Sequence, residues 1–173
     1  MKARLFSLFI LLACMLIQAQ EQAQAQTKAQ AQTQSQPQQS FPYPALPDTL
    51  RSVEQRAGYL SEHYWDNYNF ADTLMLKSEE VTEQGFVNFI DILGRFSPAI
   101  AQKGIAGFTR KAFLHAAAKE RFESLIEHYF ENPQSPLRND RVYLLFLEEM
   151  KNSPCFDEAE KERLAFKIKT TNK

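Results

Sequence analysis

The sequence predicts an all-α protein: a compact bundle of five or six helices, set behind a cleaved signal peptide and a disordered Gln/Ala-rich spacer. Three observations carry this. Apolar residues recur at helical spacing along most of the chain after Phe41, and no alternating run is long enough to compete as a strand. Pro98, Pro133, Pro136 and Pro154 fall between those stretches, where proline ends or opens a helix. No 34-residue or other fixed repeat is present, which favours a bundle over a solenoid.

The amino terminus comes first. Lys2 and Arg4 precede a charge-free apolar run from Leu5 to Ile17, and small Ala19 stands at a cleavage position. This is the pattern of a secretory signal over residues 1–19. The run has 13 residues, whereas a bilayer-spanning helix needs about 20, so no membrane span is expected after processing. Leu11-Leu12-Ala13-Cys14 offers a second reading as a lipoprotein signal, with Cys14 lipidated and the protein anchored through it. The expected location is the periplasm.

Residues 20–40 hold 10 Gln and 4 Ala with no aromatic residue. Such a composition buries too little apolar surface to offset its ordering entropy, so a disordered linker is expected.

Residues 41–173 then make one domain. They hold 12 Phe, 6 Tyr and Trp65, and each ring can bury roughly 150 to 250 Å², enough for a core without disulfides. Taking away Lys2 and Arg4 leaves 18 basic residues against 21 acidic ones, a formal charge of −3. With no basic excess, nucleic acid is set aside as a partner. Cleavage after Ala19 would leave Cys155 as the one cysteine, which excludes an intramolecular disulfide and a Cys-x-x-Cys pair; its simplest role is that of a small hydrophobe near a helix start.

The helices follow in order. Asp48 stands as N-cap before the stripe Leu50, Val53, Ala57, Leu60 and Tyr64. Glu79, Glu80 and Glu83 lead, at the positive end of a helix dipole, into Phe86, Phe89, Ile90, Leu93 and Phe96. Ser97-Pro98 ends that helix and caps the next. Pattern resumes from Ala99 to Tyr129 as one helix kinked near Gly104 and Gly107, or as two. After the turn from Asn132 to Pro136, Asn139 or Asp140 caps a segment bearing Val142, Leu145 and Phe146, and Arg138 is placed to reach a carboxylate or the preceding helix end. Asp157 and Glu160 form a capping box with Phe156 as staple, followed by Leu164 and Ile168.

Chemistry is sparse. His63, His115 and His128 belong to no His-Glu-x-x-His zinc signature, and no Glu stands three positions ahead of any of them. No Gly-x-Ser-x-Gly elbow or phosphate-cradling loop occurs. Catalytic residues, metal ligands and cofactors are therefore assigned to none, and the chain is read as non-enzymatic. The densest feature is Tyr64-Trp65-Asp66-Asn67-Tyr68-Asn69-Phe70. Tyr64, Trp65, Asp66 and Tyr68 are the candidate surface for a partner, a small molecule or a glycan; alternatively, the rings seal one end of the bundle.

Three stretches taken in order, Phe41 to Pro47, His63 to Tyr68 and Tyr129 to Asp140, resemble the domain-of-unknown-function family DUF5106. The resemblance covers about Phe41 to Asn172. It implies a helical module of exported Bacteroidetes-type proteins, commonly placed just before a thioredoxin-like domain of the thiol-disulfide oxidoreductase class. It carries no catalytic residues. The chain reaches Thr171-Asn172-Lys173 about where such relatives enter that second half. A protein-interaction module of the cell envelope is the leading expectation, with a detached or truncated half of a thioredoxin-like system as the alternative and an envelope or thioredoxin-like protein as partner.

Overall fold

The computed structural model describes residues 40–172. The expected signal, nearly all of the linker and Cys14 lie outside them. The described residues form seven α-helices and no strand: α1 (Val53–His63), α2 (Thr73–Lys77), α3 (Gln84–Arg95), α4 (Pro98–Ala112), α5 (Ala116–Phe130), α6 (Asp140–Asn152) and α7 (Glu158–Thr171), with a π turn, Glu79–Glu83, leading directly into α3.

Local chemistry sets the boundaries. α1 starts later than Asp48 suggests: Ser52 accepts from Gln55 N while the Gln55 side chain accepts from Ser52 N, a reciprocal cap that Asp48, held in the turn after Pro47, does not make. The buried face is consequently Ala57, Ser61 and, just past the helix, Tyr64, while Val53 stays exposed. Ser97 caps α4 with Pro98 in its first turn. Asp157 and Glu160 close the expected box on α7, each bond 2.7 Å.

The middle stretch resolves into two helices. The break is at Phe113–His115, and α4 runs without interruption through Gly104 and Gly107. These glycines serve packing instead of a kink. A β-carbon on Gly104 would lie 3.0 Å from the Ser61 carbonyl oxygen, so glycine lets α1 lie directly on α4. The latter is the central helix, touching α1, α3, α5 and α6 and burying seven of its fifteen residues.

Two short elements escape the helical periodicity. Asp72 caps α2 by accepting from Leu74 N and Met75 N, and Ser78 then caps the π turn by accepting from Val81 N. Five residues are too few to display a 3.6-residue repeat.

One aromatic core unites these parts. Trp65 lies 5.1 to 5.7 Å, centroid to centroid, from Phe41, Tyr64, Tyr68, Phe70, Phe89, Phe108 and Phe122. Phe41 reaches this cluster over Gly85, where a β-carbon would sit 2.3 Å from its ring. Burial of so many rings supplies most of the driving force, with edge-on pairs adding to it.

Candidate functional site

The aromatic run is interior. Tyr64, Trp65, Tyr68 and Phe70 are all at most 5% exposed. Tyr64 donates its hydroxyl to Gly85 O at 3.0 Å, and burial, with Tyr43 adding to it, pushes its phenol upward. Thr82 gives its one hydroxyl proton to Met75 O, so Tyr68 must be the donor toward Thr82 Oγ1. The Trp65 indole N–H finds no acceptor among the described residues. These rings present no open face, and the placement of a sugar or partner side chain against them is corrected accordingly: helix α1 ends just before Tyr64 and the chain turns the four rings inward while Asp66, Asn67 and Asn69 face out.

Of the four candidate positions only Asp66 reaches the surface. Its carboxylate bridges His63 Nδ1, at 2.7 Å, and Lys111. Burial alone would raise this carboxyl; the hydrogen bonds and charges of Lys111 and His63 outweigh it and hold the group below the usual range. The bridge ties the end of α1 to α4.

The remaining histidines stand apart. His115 is the N-cap of α5 but makes no capping bond with its side chain, and His128 lies edge-on to Tyr129. Among the described residues no three His, Cys, Asp or Glu side chains gather as a metal set. Cys155 is partly buried against the core, its carbonyl accepting from Lys119.

A concave feature lies elsewhere, between α5 and α7 over α6. It is a cleft of about 320 Å³ floored by Ile126, Leu147, Met150 and Leu164. Ion pairs cross it at both ends. At one end Lys119 spends its three protons on Cys155 O and both oxygens of Glu160, with its ammonium 4.0 Å from the Phe156 ring centroid. At the other, Lys167 meets Glu127 and Glu131, each at 2.7 Å, and Tyr143 donates to Glu131.

These contacts set the local charge states. Lys119 and the Asp157 N–H hold Glu160 below its ordinary range. Burial opposes ionisation of both Glu131 and Lys167, yet their mutual pairing wins, lowering the acid and raising the base. Glu123, half-buried in the wall, is raised by burial.

Beyond the Lys167 bar the surface opens into a second concavity of about 410 Å³, walled by Phe130, Arg138, Tyr143 and Phe166. Phe166 is 68% exposed. It is the functional candidate that the stripe Leu164–Ile168 hides: an apolar ring two residues out of phase, on the face of α7 turned to solvent. An exposed aromatic ring beside a concavity is the kind of side chain that can anchor a partner. Arg138 pairs with Asp140 in the same wall, one of the two contacts foreseen for it.

Comparison with known proteins agrees with this architecture. The family model for a domain of unknown function (DUF5106) matches residues 16–173. The crystal structure of a thioredoxin-like protein from Bacteroides caccae is similar at 36% identity and a TM-score of 0.70, over 78% of this chain and 49% of that one. The chain thus spans about half the length of that relative. No curated protein matches. Among the described residues no helix is long and apolar enough to cross a membrane.

Proposed function

Since this chain belongs to the DUF5106 family, we propose that it is a non-enzymatic, exported module of the cell envelope that engages a thioredoxin-like domain through the face of α7 bearing Phe166. The observation that carries this is the half-length match. A thioredoxin-like fold is built on βαβ units, while the part aligned here is helical. This supports reading the thioredoxin-like part of the Bacteroides caccae protein as lying in the half that this chain does not cover. A helical module of that kind has a neighbour to contact, and Phe166 beside the 410 Å³ concavity is an exposed apolar anchor suited to it. Glu127, Tyr143, Glu160 and Lys167 of the neighbouring cleft are spent on bars between helices, which supports a structural role for them over a catalytic one.

The test is direct. Purified chain is mixed with a thioredoxin-like protein of the same envelope and followed by sedimentation velocity and crosslinking. A complex that Phe166→Ser abolishes at unchanged melting temperature is expected; absence of any complex in both assays sinks the proposal. The same half-length match favours a narrower reading, a separated half of a thiol-disulfide system. In that case complex formation changes the partner's rate of disulfide reduction, and an unaltered rate removes this version alone.

A further inference from the structure

Between α2 and α5 lies a concavity of about 530 Å³ lined by Thr73, Leu76, Lys77, Glu120, Arg121 and Ser124. It is separate from the Phe166 face, and its chemistry is that of a donor site. Arg121 gives Nη2 to Glu83 at 2.9 Å. Its Nε–H is screened from solvent and finds no acceptor among the described residues. That nitrogen lies behind the wall, whereas Nη1 makes no hydrogen bond among the described residues and is left for an acceptor arriving from outside. Lys77 likewise makes no ion pair among the described residues. Thr73 and Ser124 add two hydroxyls, and Leu76 gives the wall an apolar part.

The arrangement is held by the π turn. Glu83, at its end, fixes Arg121 through one nitrogen and accepts from Tyr129 at 2.8 Å, which commits this carboxylate and orients the guanidinium. Wide turns of this kind recur where a backbone must be re-aimed for function.

From these residues we infer that the concavity binds a small monocarboxylate with a short apolar body, its carboxylate accepting from Arg121 and Lys77. Glu120 decides between anions. It is the one carboxylate on the wall besides the committed Glu83 behind it, and it opposes a doubly charged phosphate more than a singly charged carboxylate. The size also fits, since ligand pockets generally run from about 300 to 1,000 Å³. This site goes beyond the docking reading and does not rest on it.

The experiment is calorimetric titration of the purified full chain with hexanoate, inorganic phosphate and hexylamine. Hexanoate is expected to saturate with a dissociation constant of about 1 mM or tighter, phosphate to bind more weakly and hexylamine not at all. Lys77→Ala is expected to weaken hexanoate about threefold and Glu120→Gln to strengthen it by a similar factor. Arg121→Lys removes the planar fork and should cost about tenfold. Because Arg121 also pairs with Glu83, its folding is checked by melting; if it unfolds, the Lys77 and Glu120 variants decide alone. No heat with hexanoate up to about 20 mM, equal binding of hexylamine, or identical affinity in both surface variants overturns the proposal.

Discussion

Gly104 on α4 and Ser61 on α1 meet backbone to backbone: a β-carbon on the glycine would lie 3.0 Å from the Ser61 carbonyl oxygen and 3.1 Å from its β-carbon. Gly104→Ala therefore gains helix propensity but forces α1 away from α4, and the steric cost dominates. A loss of about 1 to 3 kcal/mol is expected. Gly58, also helical, has nothing within 4 Å of a β-carbon, so Gly58→Ala should stabilise by about 0.5 to 1 kcal/mol. Urea melts of the two variants check the pair; equal effects would refute the packing argument.

The relay from Tyr68 through Thr82 to Met75 O makes a second prediction. Thr82 is fully buried. Thr82→Val keeps the shape and strands the Tyr68 hydroxyl, at a cost of about 1 to 3 kcal/mol. Adding Tyr68→Phe removes both partners, and the double variant should recover part of that loss. Failure to recover in a double-mutant cycle would show that the hydroxyls are independent.

At the start of α6 the cap is Asn139, which accepts from Val142 N at 3.2 Å. Asn139→Ala is expected to cost about 1 kcal/mol. Asp140 occupies the first helical turn and pairs with exposed Arg138, so Asp140→Ala should cost only a few tenths of that, about 0.3 kcal/mol. Differential scanning calorimetry orders the two; a larger loss for Asp140 would reverse the assignment.

These positions show how far the sequence could be read. Where the cap is unique, as at Ser97-Pro98 or Asp157-Glu160, composition and structure agree. Two competing caps near one boundary, Asp48 against Ser52 or Asn139 against Asp140, are chemically equivalent until the backbone conformation at each is known. Gly104 and Gly107 look like a kink because the helix they admit lies far back along the chain, at Ser61 and Glu62, in a different stripe. The true break at Phe113–His115 carries neither glycine nor proline. The candidate site was least legible: four clustered aromatics admit both a surface and a core reading, and the end of α1 at His63 turns them inward. Phe166 was present as an out-of-phase ring, but periodicity searches discard such residues.

Acid sensitivity should be divided between two neighbouring carboxylates. Glu160 is held below its ordinary value of 4.5 by Lys119, so its contribution is present above pH 4.5 and disappears as pH falls through the lower folded value. Glu123 is shifted the other way by burial, so its charge costs stability at neutral pH and the cost fades on protonation. Glu160→Gln should melt earlier than the parent at pH 7 and Glu123→Gln later, both differences shrinking as each carboxylate is protonated in acid, that of Glu123 first. Melting curves from neutral pH into acid check the signs; parallel curves would contradict them.

Trp65 is the one tryptophan in the sequence, and it is 2% exposed inside a shell of seven rings. Nature has thereby placed a single optical reporter at the centre of the molecule. Light emitted under indole-selective excitation comes from the interior alone, so a red shift marks water entering the core, and ligands or partners that touch only the outer helices should leave the spectrum in place. Unfolding can be followed without a label, and separately from binding.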